Sequence, residues 1–217
     1  MSGARPDRLV VVLGTGTEVG KTWVAARVLA DLRARGVAVA ARKPAQSAEP
    51  DDPAPSDADV LAAATGEDSR AVCPAHRRYA RAMAPPMAAV ALGLAPFTVA
   101  DLAAEVTWPE GVALGLVETA GGVLSPAAAD GTSLDLARAA RPDEALLVAD
   151  AGLGTINGVR LSLAALAAAA VTWPTTVLLN RFAPAHPLHA ANRDVLTADG
   201  TAVVTDPADL VARWSAP

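Results

Sequence analysis

The chain has 217 residues, a net charge of −5 and 52% hydrophobic residues, a length that suits one large domain or two small ones. Because 53 residues are alanine and only 3% are aromatic, the strongly apolar share falls to roughly a quarter, enough for one covered core and too little for a membrane protein. The acidic balance argues against a nucleic-acid footprint or a polybasic membrane patch, and a single cysteine, Cys73, excludes an internal disulfide.

Strand-length apolar runs alternate with helical stretches. Residues 9–13 (LVVVL) form a first strand, and a glycine-rich turn leads into a helix over 21–35, where Val24, Val28, Leu29 and Leu32 fall at helical spacing. Gly36 ends that helix, and 37–42 is the second strand. Residues 44–56 are polar and proline-rich, the composition of a mobile loop. Asp57–Thr65 reads as a helix capped by Ser56, with further helices at 86–94 and 98–106. The third strand covers 112–117 and is followed by Glu118. The fourth and fifth cover 145–149 and 175–179, with a helix over 159–170 between them. A short strand at 202–204 and a helix over Pro207–Trp214 end the chain. No repeat or domain-length linker interrupts it. This order predicts one α/β domain over 1–217, a mostly parallel sheet with helices on both faces and ligands gathered beyond the C-terminal strand ends.

Two uncharged stretches, 82–100 and 161–180, are broken by Pro85, Pro86 and Pro96 and by Pro174 and Asn180, so neither reads as a membrane span. The first residues lack the apolar centre of a signal peptide. A soluble, cytoplasmic protein is expected. Arginine outnumbers lysine by 16 to 2, and asparagine occurs only at 157, 180 and 192. Where arginine has largely displaced lysine, Lys21 and Lys43 point to a need for a compact, rotatable charge.

The strongest chemical signal is Gly14-Thr15-Gly16-Thr17-Glu18-Val19-Gly20-Lys21-Thr22. It follows an apolar strand and opens a helix, the context a phosphate-binding loop requires. Backbone N–H groups and the helix dipole there favour an anion, Lys21 reaches the β- and γ-phosphates, and the Thr22 hydroxyl suits Mg²⁺. Five residues, not the usual four, separate Gly14 from Gly20. Glu118 and Asp150 both end apolar strands, where a carboxylate faces the metal of a phosphate-loop enzyme or simply caps the next turn. Gly121-Gly122 favours Glu118, because glycines allow close backbone approach. Lys43 ends the second strand on the same edge, before Pro44. His186 and His189 lack a third ligand nearby, Cys73 has no partner base, and Trp108 and Trp173 precede prolines as turn anchors.

Together these residues resemble the dethiobiotin synthetase family. The loop GTGTEVGKT is similar to that family's lengthened phosphate loop, and Lys43-Pro44-Ala45-Gln46-Ser47 to its Lys-Pro-x-x-Ser/Thr motif. Asp57 after Ser56 resembles its metal-binding aspartate, VETAGG (117–122) its Val-Glu-Gly-Ala-Gly-Gly, and Gly152-Leu153-Gly154-Thr155-Ile156-Asn157 its Gly-Leu-Gly-Thr-Ile-Asn segment. Leu179-Asn180 matches the strand end that contacts adenine. The motifs keep their order over 14–181. The resemblance implies a P-loop NTPase-like fold and ATP-dependent conversion of 7,8-diaminononanoate and CO₂ to dethiobiotin, through a carbamate and a carbamic–phosphoric anhydride. It assigns catalysis to Lys21, Lys43 and Thr17, and Mg²⁺ to Thr22, Asp57 and Glu118. ATP falls to Glu18, Val19, Gly20, Lys21, Thr22, Trp23, Asp57, Glu118, Asn180 and Arg181. The second substrate falls to Thr17, Ser47, Gly121, Gly154, Thr155 and Asn157, with no nucleic acid or membrane partner and a homodimer that shares its active sites.

Three positions depart from the family pattern. Thr119 replaces a glycine and is expected to crowd the phosphates, Gly158 stands where histidine is common, and Thr205-Asp206-Pro207 matches the second adenine loop weakly. Partition-type ATPases share the fold but carry a signature lysine where Gly16 stands here. A nucleotide-binding protein without catalysis leaves Lys43 and Asn157 unexplained.

Overall fold

The first strand sets the architecture, because side chains on both its faces are apolar. In β1 (Arg8–Gly14), Leu9, Val11 and Leu13 enter one core and Val10 and Val12 another, as a central strand covered on both sides requires. The computed structural model describes residues 5–215. After β1 come α1 (Lys21–Ala34), β2 (Val39–Arg42), β3 (Gln46–Ala48), α2 (Asp57–Thr65) and α3 (Ser69–Val72). The middle holds β4 (Arg78–Ala80), α4 (Pro85–Ala91), α5 (Val99–Glu105), β5 (Leu114–Glu118), β6 (Pro126–Ala128), β7 (Gly131–Thr132) and α6 (Ser133–Ala140). The chain ends through β8 (Glu144–Asp150), α7 (Thr155–Ala168), β9 (Thr175–Asn180), α8 (Pro187–Ala198), β10 (Val203–Val204) and α9 (Pro207–Trp214).

Six strands form one sheet in the order β10-β9-β8-β1-β5-β2, and every pairing in it is parallel. All strand ends that carry candidate residues therefore lie on one edge. From β1 the chain goes first to the edge strand β2, returns to place β5 between β2 and β1, then crosses to the other side of β1 for β8, β9 and β10. The phosphate loop thus leaves the sheet beside the point where strand order reverses, the usual ligand crevice of such sheets. Helices α1, α2, α3 and α9 pack one face, and α6, α7 and α8 the other. A smaller cluster joins α4, α5 and the β3–β4 and β6–β7 pairs, with Tyr79 stacked on Phe97.

The parallel core follows the sequence expectation, with local corrections. α7 begins at Thr155, four residues before the expected start, because Gly154 at φ 89° caps the helix ahead of its apolar run. Asn157 is accordingly the third helical residue. β5 ends at Glu118, which pairs with Val12 of β1 and so belongs to the strand instead of following it. The expected 44–56 loop contains β3, paired in parallel with β4. That pairing is long-range and leaves no periodic signature. The helices α6 and α8 were not anticipated. The first has a capping box from Thr132 to Asp135, and the second starts on Pro187, both readable helix signals.

Candidate active site

The loop between β1 and α1 is shaped by two glycines. A side chain at Gly14 would stand 2.8 Å from the Lys21 ammonium, so glycine leaves the path along which Lys21 folds back. Gly20 caps α1 at φ 89°, and a Cβ there would meet Asn180 Nδ2 at 2.1 Å. Thr15, which stands where such loops usually have glycine, donates its N–H to the Val148 carbonyl of β8 at 3.0 Å, which extends the β1 ladder into the loop. Lys21 is buried and donates to the Gly16 carbonyl at 3.0 Å and the Gly121 carbonyl at 2.7 Å. Burial and the nearby Lys43 charge pull its pKa down to about 8.

Around it, three strand ends and two helices bring four charged groups and a hydroxyl together. Lys43, at the end of β2, is 2% exposed; its Nζ lies 2.5 Å from Glu118 Oε1 and 2.8 Å from Asp57 Oδ2. Burial alone would lower the Lys43 pKa, but Glu118 and Asp57 more than offset that and hold it above the ordinary lysine range. For Asp57, burial acts upward, while Lys43 and the Thr22 hydroxyl outweigh it and keep the carboxylate below its usual range. Asp57 is the first residue of α2, fixed by the Ser56–Asp59 capping box. Glu118 is fully buried, and its Oε2 has no hydrogen-bond partner among the described residues.

The donor set fits a small divalent cation. Thr22 Oγ1 lies 2.8 Å from both Asp57 Oδ1 and Glu118 Oε1. A hydroxyl has one proton, so it serves only one carboxylate at a time. With the orphaned Glu118 Oε2, the set offers only hard oxygen donors, the chemistry Mg²⁺ selects. Among the described residues no group of three His, Cys, Asp or Glu is arranged to hold a metal ion; two carboxylates and a hydroxyl leave remaining positions for phosphate and water. Asp150 is engaged elsewhere. Its carboxylate accepts from Gly152 N–H at 2.8 Å and pairs with Arg181 at 2.7 Å, so of the two strand-end candidates only Glu118 faces the cluster.

The remaining candidates divide by location. Val19 is buried, and its carbonyl accepts from Asn180 Nδ2 at 3.0 Å, which ties the loop to β9. Arg181 donates to the Glu18 carbonyl at 3.0 Å, and both residues have positive φ. Gly121, at φ 66°, has no room for a Cβ because Ser125 Oγ would stand at 2.4 Å. Thr17 is exposed on the loop, and Trp23 is 59% exposed on α1. Ser47 lies in β3 with its hydroxyl donated to the Met83 carbonyl, and Asn157 is exposed on α7. No hydrogen bond joins either to the Lys21–Lys43 cluster among the described residues. Gly154 and Thr155 open α7, whose first turn packs on the phosphate loop, a Cβ at Gly158 falling 3.4 Å from Thr15 Cβ.

Thr119 corrects an expectation. Its side chain is 1% exposed and turned into the sheet, where hydroxyl and N–H both donate to the Val12 carbonyl at 3.1 Å. It does not crowd the phosphates. Sequence reasoning also gave no role to Asn192, buried on α8, which donates to the Ala151 and Gly152 carbonyls, each at 2.9 Å. Its one signal is rarity, as one of three asparagines in the chain.

A parallel sheet, a strand–loop–helix with a buried lysine, and a hydroxyl facing two carboxylates define a P-loop nucleoside triphosphatase-type protein. A family model described as an AAA domain matches residues 8–205. The plasmid partition protein of Borrelia burgdorferi, solved with AMPPNP, superposes with a TM-score of 0.55 over 95% of this chain and 90% of that one, at 11% identity, a likeness of fold alone. ATP-dependent dethiobiotin synthetase of Rhodococcus jostii is 40% identical over 172 residues, covering 78% of this chain and 72% of the relative. That of Anaeromyxobacter dehalogenans is 38% identical over 196 residues, covering 88% and 86%. The chain belongs to the ATP-dependent dethiobiotin synthetase family, a family of ligases.

Proposed function

We propose that this protein makes dethiobiotin from 7,8-diaminononanoate, CO₂ and ATP, in the cytoplasm, as a homodimer whose sites are completed across the two-fold axis. The observation that carries the reading is the convergence of Lys21 and Lys43 on the Asp57–Glu118–Thr22 cluster. One substrate amine adds to CO₂ and loses a proton, giving a carbamate. The carbamate oxygen attacks the γ-phosphorus of ATP and ADP leaves, giving a carbamic–phosphoric anhydride. The second amine attacks the anhydride carbon, loses its proton and expels phosphate as the cyclic urea closes.

Both reactants of the phosphoryl step are anions, so the protein's task is to hold them together and neutralise charge. Lys21, already placed between the Gly16 and Gly121 carbonyls, exchanges those contacts for the β- and γ-phosphates. Lys43 turns its ammonium from the carboxylates to the carbamate and γ-phosphate. Thr17 and Ser47 donate hydroxyls to the same oxygens, and Asn180 and Arg181 frame the base. Thr22, Asp57 and Glu118 would hold Mg²⁺, which supplies charge neutralisation at the phosphates. At the start of α7, the Leu153, Gly154, Ile156 and Asn157 N–H groups have no acceptor among the described residues. The Thr155 hydroxyl is buried without a partner among them. Free N–H groups at a helix N-terminus suit a carboxylate, and this cradle takes the carboxylate of a second substrate that reacts in the partner subunit's site across the two-fold axis.

The test is steady-state ADP release with and without diaminononanoate and bicarbonate. Release that requires both, with dethiobiotin formed in equal amount, is expected. Release that ignores both would replace this reading with a simple ATPase.

A further inference from the structure

Asn192 has no part in the chemistry above, yet it is among the most specifically engaged polar side chains of the molecule. It is 5% exposed, lies on α8, and its amide nitrogen donates to two successive carbonyls, Ala151 and Gly152, at 2.9 Å each. Both amide protons are thereby used. Those carbonyls belong to the loop between β8 and α7. In a trans peptide the C=O and N–H point in opposite directions, and no cis peptide is present among the described residues. Drawing the Ala151 carbonyl inward turns the Gly152 N–H out, where it meets Asp150 Oδ1 at 2.8 Å. Drawing the Gly152 carbonyl inward likewise turns out the N–H of Leu153, a residue 93% exposed. That N–H has no acceptor among the described residues, nor do those of Gly154, Ile156 and Asn157.

We propose that Asn192 is a positioning residue for the second substrate: by holding the Ala151 and Gly152 carbonyls inward it fixes the entry to α7 and presents the Leu153 N–H, beside the free N–H groups of Gly154, Ile156 and Asn157, to the diaminononanoate carboxylate. This rests on the reading of that helix start as the carboxylate cradle. Asn192 touches no substrate. Its effect passes through the orientation of two peptide planes, and the left-handed Gly154 cap then carries the chain into the helix.

The experiment compares Asn192→Asp with Thr155→Val in the full-length protein. Aspartate keeps the shape but sets a carboxylate against two carbonyls, so it cannot hold the peptides inward. Steady-state rates are measured with diaminononanoate varied at saturating ATP and bicarbonate, and again with ATP varied. For Asn192→Asp the KM for diaminononanoate is expected to rise about tenfold, while the KM for ATP stays within about twofold. Equal changes in both constants, or a loss of kcat alone, would mark a general structural role and overturn the proposal. A raised KM in Thr155→Val with none in Asn192→Asp overturns the role of Asn192 and leaves the cradle standing. No change in either variant overturns the proposal. If Asn192→Asp does not fold, Asn192→Ser, smaller and with one donor, carries the same comparison.

Discussion

Lys21 and Lys43 are both buried, yet their surroundings drive them in opposite directions. Lys43 sits between two carboxylates and keeps its proton. Lys21 bonds only to carbonyls and is pulled down to about 8 by burial and by Lys43. Between pH 8 and 10.5 the unfolded chain therefore holds more protons at residue 21 than the folded one, so this residue makes stability rise with pH there. Nucleotide binding has the opposite sign. A triphosphate favours the charged ammonium, so affinity for a non-hydrolysable ATP analogue should fall as pH rises above about 8, by up to about tenfold per unit. Titration calorimetry between pH 7 and 9.5 checks this, and an affinity that does not fall would show that Lys21 stays charged. Lys21→Ala should lower turnover by about a hundredfold or more without lowering the melting temperature. Thr119→Gly, by contrast, should bring no gain in rate. It removes a buried hydroxyl bond to Val12 and should cost on the order of 1 kcal/mol in a urea titration.

At the scale of elements, helix starts carry much of the site. Asp57 faces Lys43 because α2 begins at that residue, and α2 begins there because Ser56 and Asp59 form a capping box. Ser56→Ala should cost about 1 kcal/mol of stability and also raise the Mg²⁺ concentration needed for half-maximal activity. A stability loss with unchanged Mg²⁺ dependence would separate the cap from the site. At α1 the start is a glycine with φ 89° packed on Asn180. Gly20→Ala adds a Cβ in that conformation and expels the Asn180 amide, so nucleotide affinity should fall about tenfold or more.

At the scale of the molecule, the strand order sets which segments become neighbours. With β1 flanked by β5 and β8, Glu118 arrives on one side of the phosphate loop and the α7 start on the other. A site shared across a homodimer predicts complementation. Mixing Lys21→Ala with Asn157→Ala should restore part of the activity, because one of the two sites in a heterodimer carries neither lesion. Failure to recover activity while subunits demonstrably exchange would remove the shared site.

The strand–helix alternation, the phosphate loop and the two lysines could be read from the sequence alone, because periodicity, glycine spacing and residue rarity are local properties. So could the placement of Glu118 at a strand end. Its preference over Asp150 became a contact only in the fold, where Asp150 turned to Arg181 and Gly152. The direction of Thr119 and the β3–β4 pair were also decided in three dimensions. So was the hold of Asn192 on a loop about forty residues away in sequence. The physical reason is common to all four. A motif records which groups a segment can offer, but which acceptor each buried polar group meets depends on what the sheet and its helices bring within hydrogen-bond distance.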